Sequence, residues 1–329
     1  MMSDKPGLTG ATPLSEGDII ASRFRVVEEI GRGGYAIVYR AVDTETGETL
    51  AIKTLRPLAP RPAEVVARFK REVALSSQLR HPNTVRVYDY GLESDLYLAM
   101  ELLEGRTLAA DLNGKQGVPL SRALAIGKAV LASLTEAHQL GIVHRDLKPE
   151  NIFLMTNELG EEHVKVLDFG IAKLTRFEQR RQNAPALTMA GRAMGTPTYM
   201  SPEQARGMDL TPSSDIYSVG VLLYELIEGV APFRGEHAME VMLKHVNEPP
   251  PSLTVQNLTG SPVDLAIRKA LSKDPHDRFH DAQAFLAALD GTKAGLSSPS
   301  LSGQSQPSRP LETPSFSHEN SVHRLKPES

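Results

Sequence analysis

Apolar and polar positions keep two different rhythms along this chain, and the change falls near residue 101. Phe24–Ile30 alternates loosely, and Ile37–Val42 and Leu50–Leu55 read as further strands set off by a Gly-rich turn and by Gly47. Ala63–Leu79 has helical composition and stops before His81-Pro82, while Val85–Tyr90 and Leu96–Met100 fit two more strands. Beyond Glu101 the spacing turns helical: Leu124, Leu131, Leu134 and His138 share one face of a run that ends at Gly141. Ser213–Glu228, Pro262–Leu271 and Ala282–Leu289 predict three more helices. The expected fold class is α+β and bilobal, with a strand-rich first lobe carrying one main helix and a helical second lobe. A cleft between lobes is where ligand sites concentrate.

The ends of the chain follow neither rhythm. Residues 1–22 are polar with Gly and Pro, and are expected to form a flexible arm without a signal peptide. From Gly291 onward there are ten Ser and five Pro against six large apolar residues, so 290–329 is expected to be a disordered tail. The 329 residues are 40% hydrophobic and 23% charged, which suits a globular protein. A net charge of −4 gives no reason to expect nucleic-acid binding. The chain contains no Cys, which excludes disulfides and thiolate metal sites. Its most apolar stretch, Ser218–Ile227, is about half the ~20 residues needed to span a bilayer. A cytoplasmic location is the expectation.

Two short strings carry the chemistry. His144-Arg145-Asp146-Leu147-Lys148-Pro149-Glu150-Asn151 is followed by Asp168-Phe169-Gly170. Together they supply a proton acceptor, a cation and two oxygen ligands at the spacing that phosphoryl transfer requires, a reaction governed by positioning and charge neutralisation. Asp146 is the candidate general base, and Lys148 would neutralise the transferred phosphate. Asn151 and Asp168 offer hard oxygens suited to Mg²⁺ on a nucleotide, with Mn²⁺ as the alternative cation. His144 beside the Arg-Asp turn is expected to order the loop. Gly31-Arg32-Gly33-Gly34-Tyr35-Ala36 lies between two predicted strands, where glycines let backbone approach phosphate oxygens. Alone, that signal is weak. No helix follows the glycines, so a dinucleotide fingerprint or Walker loop is excluded. Lys53 ends an otherwise apolar strand, and Glu72 on the next helix could hold its ammonium in place.

These motifs, in this order, closely resemble the eukaryotic-like serine/threonine protein kinases, in particular their bacterial branch. The resemblance covers residues 23–289 and continues through Gly195–Glu203, Asp215–Gly220 and Asp277-Arg278, with Ser201-Pro202-Glu203-Gln204-Ala205 worded as in the bacterial branch. It implies the protein-kinase fold, with an N-lobe of about 23–100, a hinge at 101–103, a C-lobe of about 104–289 and ATP in the cleft. Val38 and Ala51 would cover the adenine, Phe153 would lie beneath it, Met100 would be the gatekeeper, and the hinge Glu101–Leu103 would bind it. Glu203 and Arg278 would form a buried ion pair, Asp215 would anchor the catalytic loop, and Phe169 and His144 would be structural. Lys148 and Thr196 favour Ser/Thr acceptors in proteins, with Thr196 orienting the acceptor. Thr188 and then Thr198 are the candidate sites of regulatory phosphorylation, which Arg145 could receive. Glu150 and Glu225 match positions that bind basic residues of the acceptor.

Two positions depart from the family. Ala36 stands for the third glycine of the loop, a small obstruction. Ser76 stands where an apolar residue packs toward Phe169, so a partner or a second copy of the chain is expected to brace that helix. The rival readings are a pseudokinase-type scaffold, disfavoured because Lys53, Asp146, Asn151 and Asp168 are all present, and a small-molecule kinase, disfavoured by the Gly195–Glu203 platform.

Overall fold

Strand alternation decides the first lobe. The computed structural model describes residues 13–33, 36–55, 71, 73–91, 96–114, 116–169 and 197–296. Strands β1 (Ile19–Ile20), β2 (Phe24–Arg32), β3 (Ala36–Asp43), β4 (Thr49–Leu55), β5 (Val87–Gly91) and β6 (Tyr97–Glu101) form an antiparallel sheet in the order β1-β2-β3-β4-β6-β5. Because successive residues point to opposite faces, Ile37, Tyr39, Ala41, Leu50, Ile52 and Ala99 share one face and form the lobe's core. The register leaves Val38, Ala51, Lys53 and Met100 on the other face, with Val38 opposite Lys53 and Ala51 opposite Met100. One pleat thus serves two purposes.

The chain before residue 23 is not all free arm. Ile20 is buried at 2% exposure, β1 pairs with Phe24-Arg25, and the Leu14 N–H donates to Tyr39 Oη at 3.0 Å. Two adjacent isoleucines carry no periodicity, so the sequence could not announce this strand.

The second lobe is built on helices α1 (Leu108–Leu112), α2 (Leu120–Gln139), α3 (Pro202–Ala205), α4 (Pro212–Glu228), α5 (Ala238–Asn247), α6 (Pro262–Ala270) and α7 (Ala282–Leu296). Helix α4 buries residues around its whole circumference, from Asp215 through Ile227, and α2, α6 and α7 pack against it. That explains its apolar composition. Among the described residues no helix is long and apolar enough to cross a membrane. Each fully buried side chain such as Leu222 or Ile267 contributes about 1.5–3 kcal/mol. Gly229 ends α4 in the left-handed region, at φ 76°. Helix α7 runs past the expected boundary at 289, and Lys128 of α2 reaches Asp290 at 2.5 Å. Gly291 and Gly295 weaken a helix by roughly 1 kcal/mol each without breaking it, and the first tail proline comes only at 299. The remainder of the expected tail, 297–329, lies outside the described residues.

A small sheet is formed by β7 (Arg106–Thr107), β8 (Ile152–Thr156) and β9 (Glu162–Val166), with Val166 bridged to Thr84. It was not legible, because short apolar runs inside a helical region have no distinguishing period. Residues 83–86 stitch the lobes together. Val166 N–H donates to Asn83 O at 2.8 Å, Val85 N–H donates to Val166 O at 3.0 Å, and Thr84 Oγ1 bonds Ser133 Oγ at 2.7 Å.

Candidate active site

The catalytic string folds as a loop held from beneath by α4. Asp215, in the first turn of α4, accepts the His144 N–H through Oδ2 at 2.8 Å and the Arg145 N–H through Oδ1 at 2.9 Å. His138 Nε2 approaches the same carboxylate at 2.9 Å. His144 is fully buried, donates through Nε2 to Leu167 O at 2.7 Å and meets Phe169 edge-on at 4.8 Å between ring centroids. It therefore orders two loops at once. Arg145 and Asp168 both adopt left-handed backbone, at φ 71° and 63°. Non-glycine residues held there cost about 1–3 kcal/mol each and mark sites where position matters more than local stability.

Asp146, Lys148 and Asn151 converge. Lys148 Nζ lies 2.7 Å from Asp146 Oδ2, and Asn151 Nδ2 donates to Asp146 O at 2.7 Å and to Asp146 Oδ2 at 3.3 Å. The Leu167 N–H donates to Asn151 O at 2.8 Å, which sets Asp168 beside this group. From the first lobe, Lys53 Nζ reaches Asp168 Oδ1 at 2.5 Å. Burial pushes the Asp168 carboxyl up, but the Lys53 ammonium, by charge and hydrogen bond, outweighs it and holds the group below the usual carboxylate range. A lasting anion beside a lysine and an amide oxygen is the chemistry of a divalent cation carried on phosphates. Asn151 and Asp168 supply two hard protein oxygens, which fits Mg²⁺ with phosphates and waters completing its shell. Among the described residues no three acidic or imidazole groups cluster into a self-sufficient metal cage.

The residues expected to line the base come from four strands. Val38, Ala51 and Met100 come from the sheet face described above, and Phe153 of β8 stands between Thr107 and Lys165 in the small sheet. Gly31 and Arg32 extend β2 opposite Val38 and Ile37, the Gly33 N–H closes on Ala36 O at 2.9 Å, and Arg32 Nε donates to Glu29 at 2.7 Å. The hinge residue Glu101 is clasped by Lys165 Nζ and by the Arg86 N–H, each at 2.7 Å; Leu102 and Leu103 follow, partly exposed. Gly105, just beyond, has φ 150°, and a Cβ there would meet Leu154 O at 2.1 Å and Phe153 Cε1 at 3.1 Å. Gly105→Ala is therefore expected to cost about 1–3 kcal/mol in denaturant unfolding and to raise the KM for ATP. An unchanged unfolding midpoint would show that the hinge relaxes freely.

Farther out, Arg278 makes two bonds to Glu203, at 2.8 and 2.9 Å. Gln204 caps α3 with Ser201 and donates to Arg145 O at 2.7 Å, tying the 197–204 segment to the catalytic loop. Thr198 lies partly buried in the Pro197–Tyr199 turn, and the Tyr199 hydroxyl donates to Glu225. Ser76 is nearly buried, its hydroxyl 3.4 Å from Val73 O. Gly34, Tyr35, Glu72, Gly170, Thr188 and Thr196 lie outside the described residues. Sequence reading expected Lys53 and Asp168 to share the cleft, and they meet there; it missed the Lys165–Glu101 clasp and the Gln204 tie. Each joins residues dozens of positions apart, and no local signal marks them.

Residues 24–288 match the family model for the protein kinase domain. Serine/threonine-protein kinase pkn3 of Myxococcus xanthus is 42% identical over 278 residues, covering 83% of this chain and 50% of that protein. Serine/threonine-protein kinase PknA of Mycobacterium tuberculosis is 36% identical over 305 residues, covering 91% of this chain and 65% of the relative. The chain spans about half the length of the first of these relatives. The crystal structure of the Mycobacterium tuberculosis PknI kinase domain aligns with a TM-score of 0.66 at 26% identity, over 86% of this chain and 100% of that one. With the fold, the cleft and these likenesses in agreement, the chain belongs to the protein kinase family, in its bacterial serine/threonine branch.

Proposed function

We propose that this chain transfers the γ-phosphoryl group of ATP to serine and threonine hydroxyls of proteins. The observation that carries the reading is the convergence of Asp146, Lys148 and Asn151 with Asp168, itself paired to Lys53 from the opposite lobe. Val38, Ala51, Met100, Phe153 and the hinge from Glu101 to Leu103 hold the adenine, and the backbone from Gly31 to Ala36 covers the phosphates. Lys53 orients the phosphates, with Glu72 as its further partner. Asn151 and Asp168 would hold Mg²⁺ or Mn²⁺, which supplies charge neutralisation on the phosphates. Asp146 accepts the acceptor hydroxyl's proton, and Lys148 stabilises charge on the phosphoryl group in flight.

Glu225 gives the acceptor site its charge preference. Burial raises its carboxyl and the Tyr199 hydroxyl lowers it, while Glu150 beside it raises it again. Two neighbouring carboxylates favour a basic residue in the acceptor. Thr196 orients the acceptor hydroxyl, and Thr188 or Thr198 takes the regulatory phosphate, with Arg145 as its receiver. A cytoplasmic setting and a second copy of the chain as partner belong to the same reading.

The test is incubation of the full chain with labelled ATP, Mg²⁺ and casein, with Asp146→Asn as the blank. Label enters casein and the chain itself, and EDTA abolishes both signals by removing the cation held at Asn151 and Asp168. Transfer that persists undiminished in excess chelator refutes the metal assignment, and absence of any transfer refutes the reading.

A further inference from the structure

Beneath the Pro197–Tyr199 turn lies a buried polar chain that the transfer reaction does not itself use. Lys273 Nζ donates to Tyr217 Oη at 3.3 Å and to His245 O at 2.9 Å, and it sits 4.1 Å from the centre of the Phe233 ring. Tyr217 Oη lies 2.9 Å from His245 Nδ1, and both side chains are fully buried. An ammonium has three donors and no acceptor. Tyr217 must therefore accept from Lys273 and spend its own proton on Nδ1 of His245, which leaves the imidazole proton on Nε2. Burial, and then the charge of Lys273, hold His245 down to about 4, so the ring is neutral and this tautomer persists at physiological pH.

The Nε2 atom is buried and has no hydrogen-bond partner among the described residues. Its polar neighbours are the backbone of Thr198 and Pro197, which favour the protonated ring. The contact falls short of hydrogen-bond geometry in this structure. A buried donor aimed at a carbonyl-bearing turn is costly unless the bond forms. The same turn is already fixed from α4, where Ser218 Oγ donates to Tyr199 O at 2.8 Å. Through Gln204 the segment continues to the loop that bears Asp146.

We propose that His245 is a positioning residue for the acceptor polypeptide, held by Lys273 and Tyr217 as an Nε2–H donor to the backbone of the Pro197–Tyr199 turn. The inference rests on the protein-kinase reading and deepens it, since it concerns the surface on which the acceptor lies. Helix α5 thereby reports on the acceptor platform through one side chain, ~100 residues from the catalytic Asp in sequence.

The test uses the full chain with ATP, Mg²⁺ and a one-threonine peptide chosen from a positional array on the wild type. His245→Phe keeps an aromatic ring against Phe233 but removes the donor. The peptide KM is expected to rise about tenfold, the worth of one hydrogen bond, while the KM for ATP stays within about twofold. His245→Gln, which places an amide donor near the Nε2 position, brings the peptide KM back to within about threefold of wild type. Nitrogen-15 histidine spectra of the wild type show the Nε2–H tautomer at neutral pH, and Tyr217→Phe introduces the other tautomer. An unchanged peptide KM in His245→Phe, or an Nδ1–H tautomer in the wild type, overturns the proposal. If no array peptide is phosphorylated by the wild type, the kinase reading itself has failed.

Discussion

Asp146→Asn lowers the rate of phosphoryl transfer by about 10³-fold, within the range ascribed to a positioned general base. Asparagine keeps the shape of the side chain, and the backbone carbonyl that accepts from Asn151 is untouched, so the loop stays folded. What disappears is the carboxylate 2.7 Å from the Lys148 ammonium, the group assigned above to accept the hydroxyl proton. Nucleotide affinity is expected to stay within about threefold, because the proposed holders of the adenine and phosphates are Val38, Ala51, Lys53, Met100 and the hinge rather than Asp146. Initial rates and a separate nucleotide titration measure the two effects. A variant that keeps more than about a tenth of wild-type turnover would remove Asp146 from the role of base.

Arg278→Met has the largest expected effect on stability. The Arg278 side chain is 0% exposed and Glu203 is 7% exposed. The guanidinium also satisfies the carbonyls of Ser272, Lys273 and Ser213. Methionine fills the space but leaves a buried carboxylate without its cation, which costs about 3–5 kcal/mol. Urea unfolding at neutral pH reads this directly, and a loss under ~1 kcal/mol would mean that water reaches Glu203. Acid adds a second signature. Burial raises the Glu203 carboxyl, but the hydrogen bond and charge of Arg278 hold it below its ordinary value. A depressed folded value means the pair's stabilisation is fully present above the unfolded value near 4.3 and is lost as pH falls through the lower folded one. Without Arg278 that depression is gone and burial alone acts on the carboxyl, so the variant's deficit against the wild type narrows as pH falls through this range.

Local pattern revealed the strands from Phe24 to Met100 and the helices α2, α4, α6 and α7, because each buries one face or a whole circumference and so writes its period into the chain. It did not reveal β1, the small sheet or α5. Among its residues α5 buries only Val241 and His245, too few to set a period. Site chemistry was legible where a motif is contiguous, as from His144 to Asn151. It was silent where a remote partner lies outside those motifs, as for Lys165 with Glu101 or Gln204 with Arg145.

Residue types alone therefore determined that an acid, a lysine, an amide and a second acid are available for phosphate chemistry, and that two lobes of different periodicity carry them. Three-dimensional packing decided the rest. The pleat turns Lys53 away from the core that holds Ile52, the carboxylate of Asp215 pins the His144–Arg145 backbone, and only then does the Lys53 ammonium meet the Asp168 carboxylate. Spacing along a chain can say which groups exist; bringing charges 115 positions apart to 2.5 Å takes the free energy of a folded core that offsets their desolvation.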